Sequence, residues 1–171
     1  VQLPEGVLGS PQTTLKIYPG VMAHVVESVE GILRRPYGCG EQTISSTYPS
    51  LLLLKHASDG LSPALEAKVT KYLQEGYERL KSYRAADGGI GYWSDSPSNT
   101  ALTAYALRFL LDADGIIDID DTFVAGLRDR LLAAQQTDGR WEAARWYSSS
   151  DRLQDAMETA YIAESLARLQ S

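Results

Sequence analysis

One cysteine, Cys39, stands alone in 171 residues, so no disulfide can form within the chain and its stability must come from packing. Histidine is almost as scarce. His24 and His56 are the only two, and both fall in apolar helical stretches, which argues against a cysteine peptidase with a histidine base. Positive charge is also short: 16 Lys and Arg stand against 22 Asp and Glu, a formal net charge of −6, and the basic footprint of a nucleic-acid surface is missing. The apolar run Leu51 to Leu54 is four residues long, far below the roughly 18 that a membrane span requires. No basic-then-apolar leader opens the sequence, so this chain does not reveal its compartment.

What remains is 44% hydrophobic and 22% charged, the make-up of an ordinary globular protein, at a length that fits one domain with a real core. The lone cysteine sits in Pro36-Tyr37-Gly38-Cys39-Gly40-Glu41-Gln42. Cys39 and Gln42 are three positions apart, so one local turn brings the thiol against the side-chain carboxamide carbon. Glycines on both sides free the backbone for a strained turn, and they make a poor environment for an inert core cysteine. A thiolate held against an amide carbonyl can expel ammonia, which leaves an internal thioester: a stored acyl electrophile in place of a nucleophile.

Gly38-Cys39-Gly40-Glu41-Gln42 resembles the thioester motif of the alpha-macroglobulin and complement family, and Pro36-Tyr37 resembles its alpha-macroglobulin branch. Ser94 to Leu110 and Leu132 to Trp141 are similar to further segments of that family's thioester domain, so the likeness runs from about Tyr18 to the C-terminus. Thr43, where vertebrate members usually carry Asn, points to a bacterial relative. The resemblance implies that Cys39 bears the acyl group and that Gln42 donates it, with Pro36, Tyr37, Gly38, Gly40 and Glu41 as supporting motif residues. Tyr92, Trp93, Trp146 and Tyr147 are the candidate shielding aromatics. No metal and no cofactor are implied.

Members of that family trap proteases: a protease cuts a bait segment, the thioester is exposed, and a target lysine amine attacks it. That is single-turnover covalent capture by an inhibitor, not enzymatic catalysis. Complement-like members tag surfaces instead, and hydroxyl-preferring ones place a histidine in the region corresponding to about 142–151; here that stretch holds Trp146 and Tyr147, and attack by amines is expected. The resemblance also implies an extracellular or periplasmic parent whose neighbouring domains shield the thioester, and a domain of which this chain is a part.

The rest of the chain reads as helices. Leu15 to Tyr18 alternates like a strand end, so residues 1–20 are expected to be a linker or the end of a preceding β-rich domain, with the thioester domain over 21–171. Val21, Val25, Val29 and Leu33 set a helical stripe over 21–35, which Pro36 stops. A second helix over 42–56 carries Ile44, Tyr48, Leu51, Leu52 and Leu54, with a kink or first turn expected at Pro49. Pro63 to Tyr83, a helix capped at Ser98 or Asn99 and running to Ala113, Asp118 to Gln136, and about Asp151 to Leu169 complete the set.

A repeat emerges. Thr103-Ala104-Tyr105-Ala106 matches Thr159-Ala160-Tyr161-Ile162, and Asp87-Gly88 with Trp93 matches Asp138-Gly139 with Trp141. Small-residue helices suit an inner ring and charged ones an outer ring, so the expected fold is an all-α alpha/alpha toroid, an incomplete ring in this chain. Two features spell a rival toroid enzyme, a terpene cyclase: Asp118-Ile119-Asp120-Asp121, and the Gln…Gly-x-Trp of Gln135 to Trp141. The acidic run precedes a helix, where Asp serves as a cap, and 9% aromatics is thin for a terpene cavity.

Overall fold

The structure is a computed structural model that describes residues 14–18, 20–143 and 152–170. Six α-helices account for most of it: α1 (Val21–Glu30), α2 (Gly40–His56), α3 (Pro63–Lys81), α4 (Thr100–Ala113), α5 (Asp121–Ala133) and α6 (Arg152–Ala167). Their starts follow local chemistry. Ser62 Oγ accepts the Leu65 N–H with Pro63 in the first turn, Asn99 Oδ1 accepts from Leu102, and Asp120 Oδ1 accepts from Thr122.

Helix α4 is the hub, touching α2, α5 and α6, while α3 lies against α2. This is the expected pattern of inner helices α4 and α6 and outer helices α3 and α5, and α2 stands to α3 as α4 does to α5. The residues explain it. Thr103, Ala104, Ala106 and Ala113 of α4 are fully buried, because small side chains let neighbours close in on several sides. Between α2 and α3 the approach is closer still, since a Cβ on Gly76 would lie 2.9 Å from that of Thr47. Ile44, Leu51, Leu73, Leu80, Leu107, Phe109, Leu110, Phe123, Leu127, Leu131 and Ile162 fill one continuous core. Each contributes about 1.5–3 kcal/mol by leaving water.

Five expectations need correction. Residues 14–18 form no strand; Lys16 and Tyr18 reach the Glu27 carboxylate instead, and Leu15 and Ile17 stay exposed. Helix α1 ends at Glu30, five residues before Arg35, where Gly31 supplies the C-cap and Ile32 and Leu33 continue only as i→i−3 turns. Glycine is a weak helix former, and it stops the helix before Pro36 can. Val21 and Val25 of its stripe are exposed; periodicity marks a face without saying what covers it. In α2 the helix runs on through Pro49, which therefore marks no first turn, and Leu53 is buried while Leu52 is 47% exposed.

Candidate functional site

The motif occupies the junction between the loop 31–39 and the first turn of α2. Gly38 adopts φ +75°, the left-handed region that a side chain resists. Space forbids one as well: a Cβ there would lie 2.8 Å from Cδ of Gln42, so the carboxamide rests directly on the glycine. Cys39 follows in extended geometry as the N-cap of α2, and Gln42 is its third helical residue. The two form a reciprocal capping box. The Cys39 N–H donates to Oε1 of Gln42 at 3.1 Å, and the Cys39 side chain faces the Gln42 backbone N–H. A capping box ordinarily pairs Ser or Thr with Glu or Gln; here the cap atom is sulfur.

Gly40 opens the helix proper. Its N–H donates to the Tyr92 carbonyl at 2.9 Å, and a Cβ would stand 2.7 Å from the Gly91 carbonyl oxygen. The loop 87–99 is thereby pressed against the motif. Cys39, Tyr92, Trp93, Pro97 and Asn99 line a groove of about 520 Å³ on one side. On the other, Tyr37, Glu41, Gln42 and Pro49 line one of about 530 Å³. Trp93 is 59% and Tyr37 48% exposed, so two aromatics flank the pair without covering it. Burial, with the Glu41 carboxylate nearby, pushes the Tyr92 phenol above its ordinary value.

The A-macroglobulin TED domain family model matches residues 13–171. The chain belongs to this family. Relatives of the TED domain chain include thioester-containing protein 1, allele S3, of Anopheles gambiae, 31% identical over 78% of this chain and 10% of that one. Ovostatin of Gallus gallus is 30% identical over 84% of this chain and 10% of its own length. Among solved structures, Salmonella alpha-2-macroglobulin reacted with methylamine superposes at TM-score 0.67 with 27% identity, over 85% of this chain and 10% of that one. The native conformation of E. coli alpha-2-macroglobulin follows at 0.66 and 25%, over 85% and 9%. This TED domain chain therefore spans about a tenth of the length of those relatives.

The internal repeat of the domain is real: Thr103 corresponds to Thr159 and Asp87-Gly88 to Asp138-Gly139 as expected, and only the pairing of Trp93 with Trp141 differs. Ile90 N–H donates to Thr103 Oγ1 at 3.0 Å, and Trp141 N–H donates to Thr159 Oγ1 at the same distance. Trp141 therefore corresponds to buried Ile90 and not to Trp93. The Asp-Gly turns repeat in detail: Gly88 and Gly139 both have φ near +87°, and Asp87 and Asp138 each accept the N–H two residues on. Trp141 also donates Nε1–H to the Leu131 carbonyl at 2.7 Å. Both terpene-cyclase features are thus structural: Asp120 caps α5, and Gln135 donates its amide to the Gly139 carbonyl.

His56 lies in the last turn of α2, about 25 Å along the axis from Cys39 at 1.5 Å per residue, and His24 packs edge-on against Tyr18. His56 is thus out of reach of Cys39. Trp146 and Tyr147 fall outside the described residues. Sequence reasoning missed Arg79 and Tyr83 at the end of α3: Arg79 Nη2 donates to the Gly38 carbonyl at 2.8 Å, and the Tyr83 hydroxyl donates to the same oxygen at 2.6 Å. Forty-one and forty-five residues separate them from Gly38, and no local pattern signals so distant a contact.

Proposed function

We propose that Cys39 and Gln42 form an internal thioester in the parent protein and that it captures attacking proteases through their lysine amines. The observation that carries this reading is the capping box, which holds the glutamine carbonyl against the cysteine N–H at 3.1 Å. Sulfur at Cys39 bonds to Cδ of Gln42, the C–N bond breaks, and nitrogen leaves as ammonia with the thiol proton. Negative charge then develops on Oε1, the atom that already accepts the Cys39 N–H at the positive end of α2. In capture, a target amine nitrogen bonds to the same carbon, the C–S bond breaks, and Cys39 departs as a free thiol carrying the amine's proton.

Each thioester reacts once, so the parent is an inhibitor and not a catalyst. Amines are the expected nucleophiles because the chain has no histidine after His56. The Salmonella neighbour, described as reacted with methylamine, supports that chemistry by likeness. Tyr92, Trp93 and Tyr37 flank the grooves and act as partial shields, completed by other domains of an extracellular or periplasmic, bacterial parent. The test is methylamine treatment of the full-length protein followed by peptide mapping. One methylamine is expected on Gln42, with one new thiol at Cys39. Unmodified Gln42 beside a thiol that titrates before treatment would overturn the reading.

A further inference from the structure

The Gly38 carbonyl is held by two side chains that the motif itself does not include, and a third buttresses them. Arg79 Nη2 and the Tyr83 hydroxyl both donate to it, and Arg79 Nε donates to Thr43 Oγ1 at 3.2 Å. Thr43 in turn donates to the Tyr37 carbonyl at 3.4 Å, and the Arg79 guanidinium lies over the Tyr83 ring, 5.6 Å from its centre. Thr43 is fully buried and Tyr83 nearly so. The end of α3 thus holds the Gly38 carbonyl directly and the Tyr37 carbonyl through Thr43 of α2.

The peptide plane gives this grip its consequence. The Gly38 carbonyl and the Cys39 N–H belong to one rigid trans peptide unit and point in opposite directions. Fixing the oxygen therefore fixes the N–H, and that N–H is the group aimed at Oε1 of Gln42. Without the donors, the left-handed Gly38 would be free to rotate, since glycine has many alternatives. We infer that Arg79, Tyr83 and Thr43 are positioning residues for the Cys39–Gln42 acyl transfer: they lock the peptide plane whose N–H polarises the glutamine carbonyl. This inference rests on the thioester reading.

The test uses the full-length parent with Tyr83→Phe, Arg79→Lys, the double variant Arg79→Ala/Tyr83→Phe, and the pair Thr43→Val and Thr43→Ser. In each, the fraction of acylated Cys39 is measured on folded, monodisperse protein by intact mass and thiol titration, beside the thermal midpoint. Wild type is expected to be almost wholly acylated, and the double variant to fall by roughly tenfold, in line with the cost of misplacing a reacting group by a fraction of an ångström to 1 Å. Tyr83→Phe and Arg79→Lys are expected to fall less. Thr43→Ser, which keeps the hydroxyl, should match wild type while Thr43→Val does not.

Should the double variant fail to fold, Tyr83→Phe and the Thr43 pair decide. Loss of thermal stability with an undiminished acylated fraction would reduce these residues to ordinary packing and overturn the inference. A wild type with a fully free thiol would sink the thioester reading itself, which is a different result.

Discussion

The two Asp-Gly loops of this domain share a backbone but not a task. Residues 85–90 and 136–141 repeat bond for bond: Ala85 pairs with Gly89 as Gln136 does with Arg140, both at 2.8 Å, and each loop hangs from a buried or half-buried threonine. After that they diverge. The first continues through Gly91 and Tyr92 onto the N-cap of α2, where Tyr92 accepts the Gly40 N–H. The second places Trp141 in the core, with its indole N–H bonded to Leu131. The repeat is architecture, and the chemistry begins only where one copy touches the cysteine.

That contrast can be broken most severely at Gly40. Gly40→Ala would drive a methyl to within 2.7 Å of the Gly91 carbonyl, an overpacking cost of roughly 1–3 kcal/mol, and should abolish the acylated form as well as lower Tm. Thermal melting with thiol titration checks both. A sharper comparison pairs Thr103→Val with Thr159→Val. Each leaves a loop N–H without its acceptor, at about 1–3 kcal/mol, and both should lower Tm by several degrees. Only Thr103→Val should alter the methylamine rate.

A smaller effect separates the tryptophans. Trp141→Phe loses the bond to Leu131 and should cost roughly 1 kcal/mol without touching reactivity, whereas Trp93→Ala should leave Tm unchanged and speed methylamine attack a few-fold. The smallest concerns acid. Burial alone would raise the Asp87 carboxyl, but Ser98, the Gly89 N–H and Arg130 together bring it below the ordinary value of 3.8. Asp138 is lowered chiefly by Arg140. A depressed carboxyl stabilises the fold above its ordinary titration range and loses that contribution as pH falls through its folded value. The destabilisation by Asp87→Asn and by Asp138→Asn should therefore be largest near neutrality and shrink below about pH 4 in thermal melts.

Much of this was legible because it was local. The caps at Ser62, Asn99 and Asp120, the small-residue face of α4 and the spacing of Cys39 and Gln42 all depend on neighbours within four residues. What failed was non-local. The stripe of α1 is legible as apolar but what covers it is not, and Leu52 and Leu53 differ only in which side of α2 meets α3 and α4. Residue type pairs Trp93 with Trp141, whereas the threonine bonds set Ile90 opposite Trp141. The hold of Arg79 and Tyr83 on Gly38 crosses more than forty residues, beyond any motif.

The intact mass of freshly purified, full-length parent protein tests the central claim most directly. An acylated Cys39 predicts a mass below that of the sequence by one ammonia, restored to the sequence value in a Cys39→Ala variant after allowance for the substitution. A wild-type mass equal to that of the unmodified sequence would contradict it.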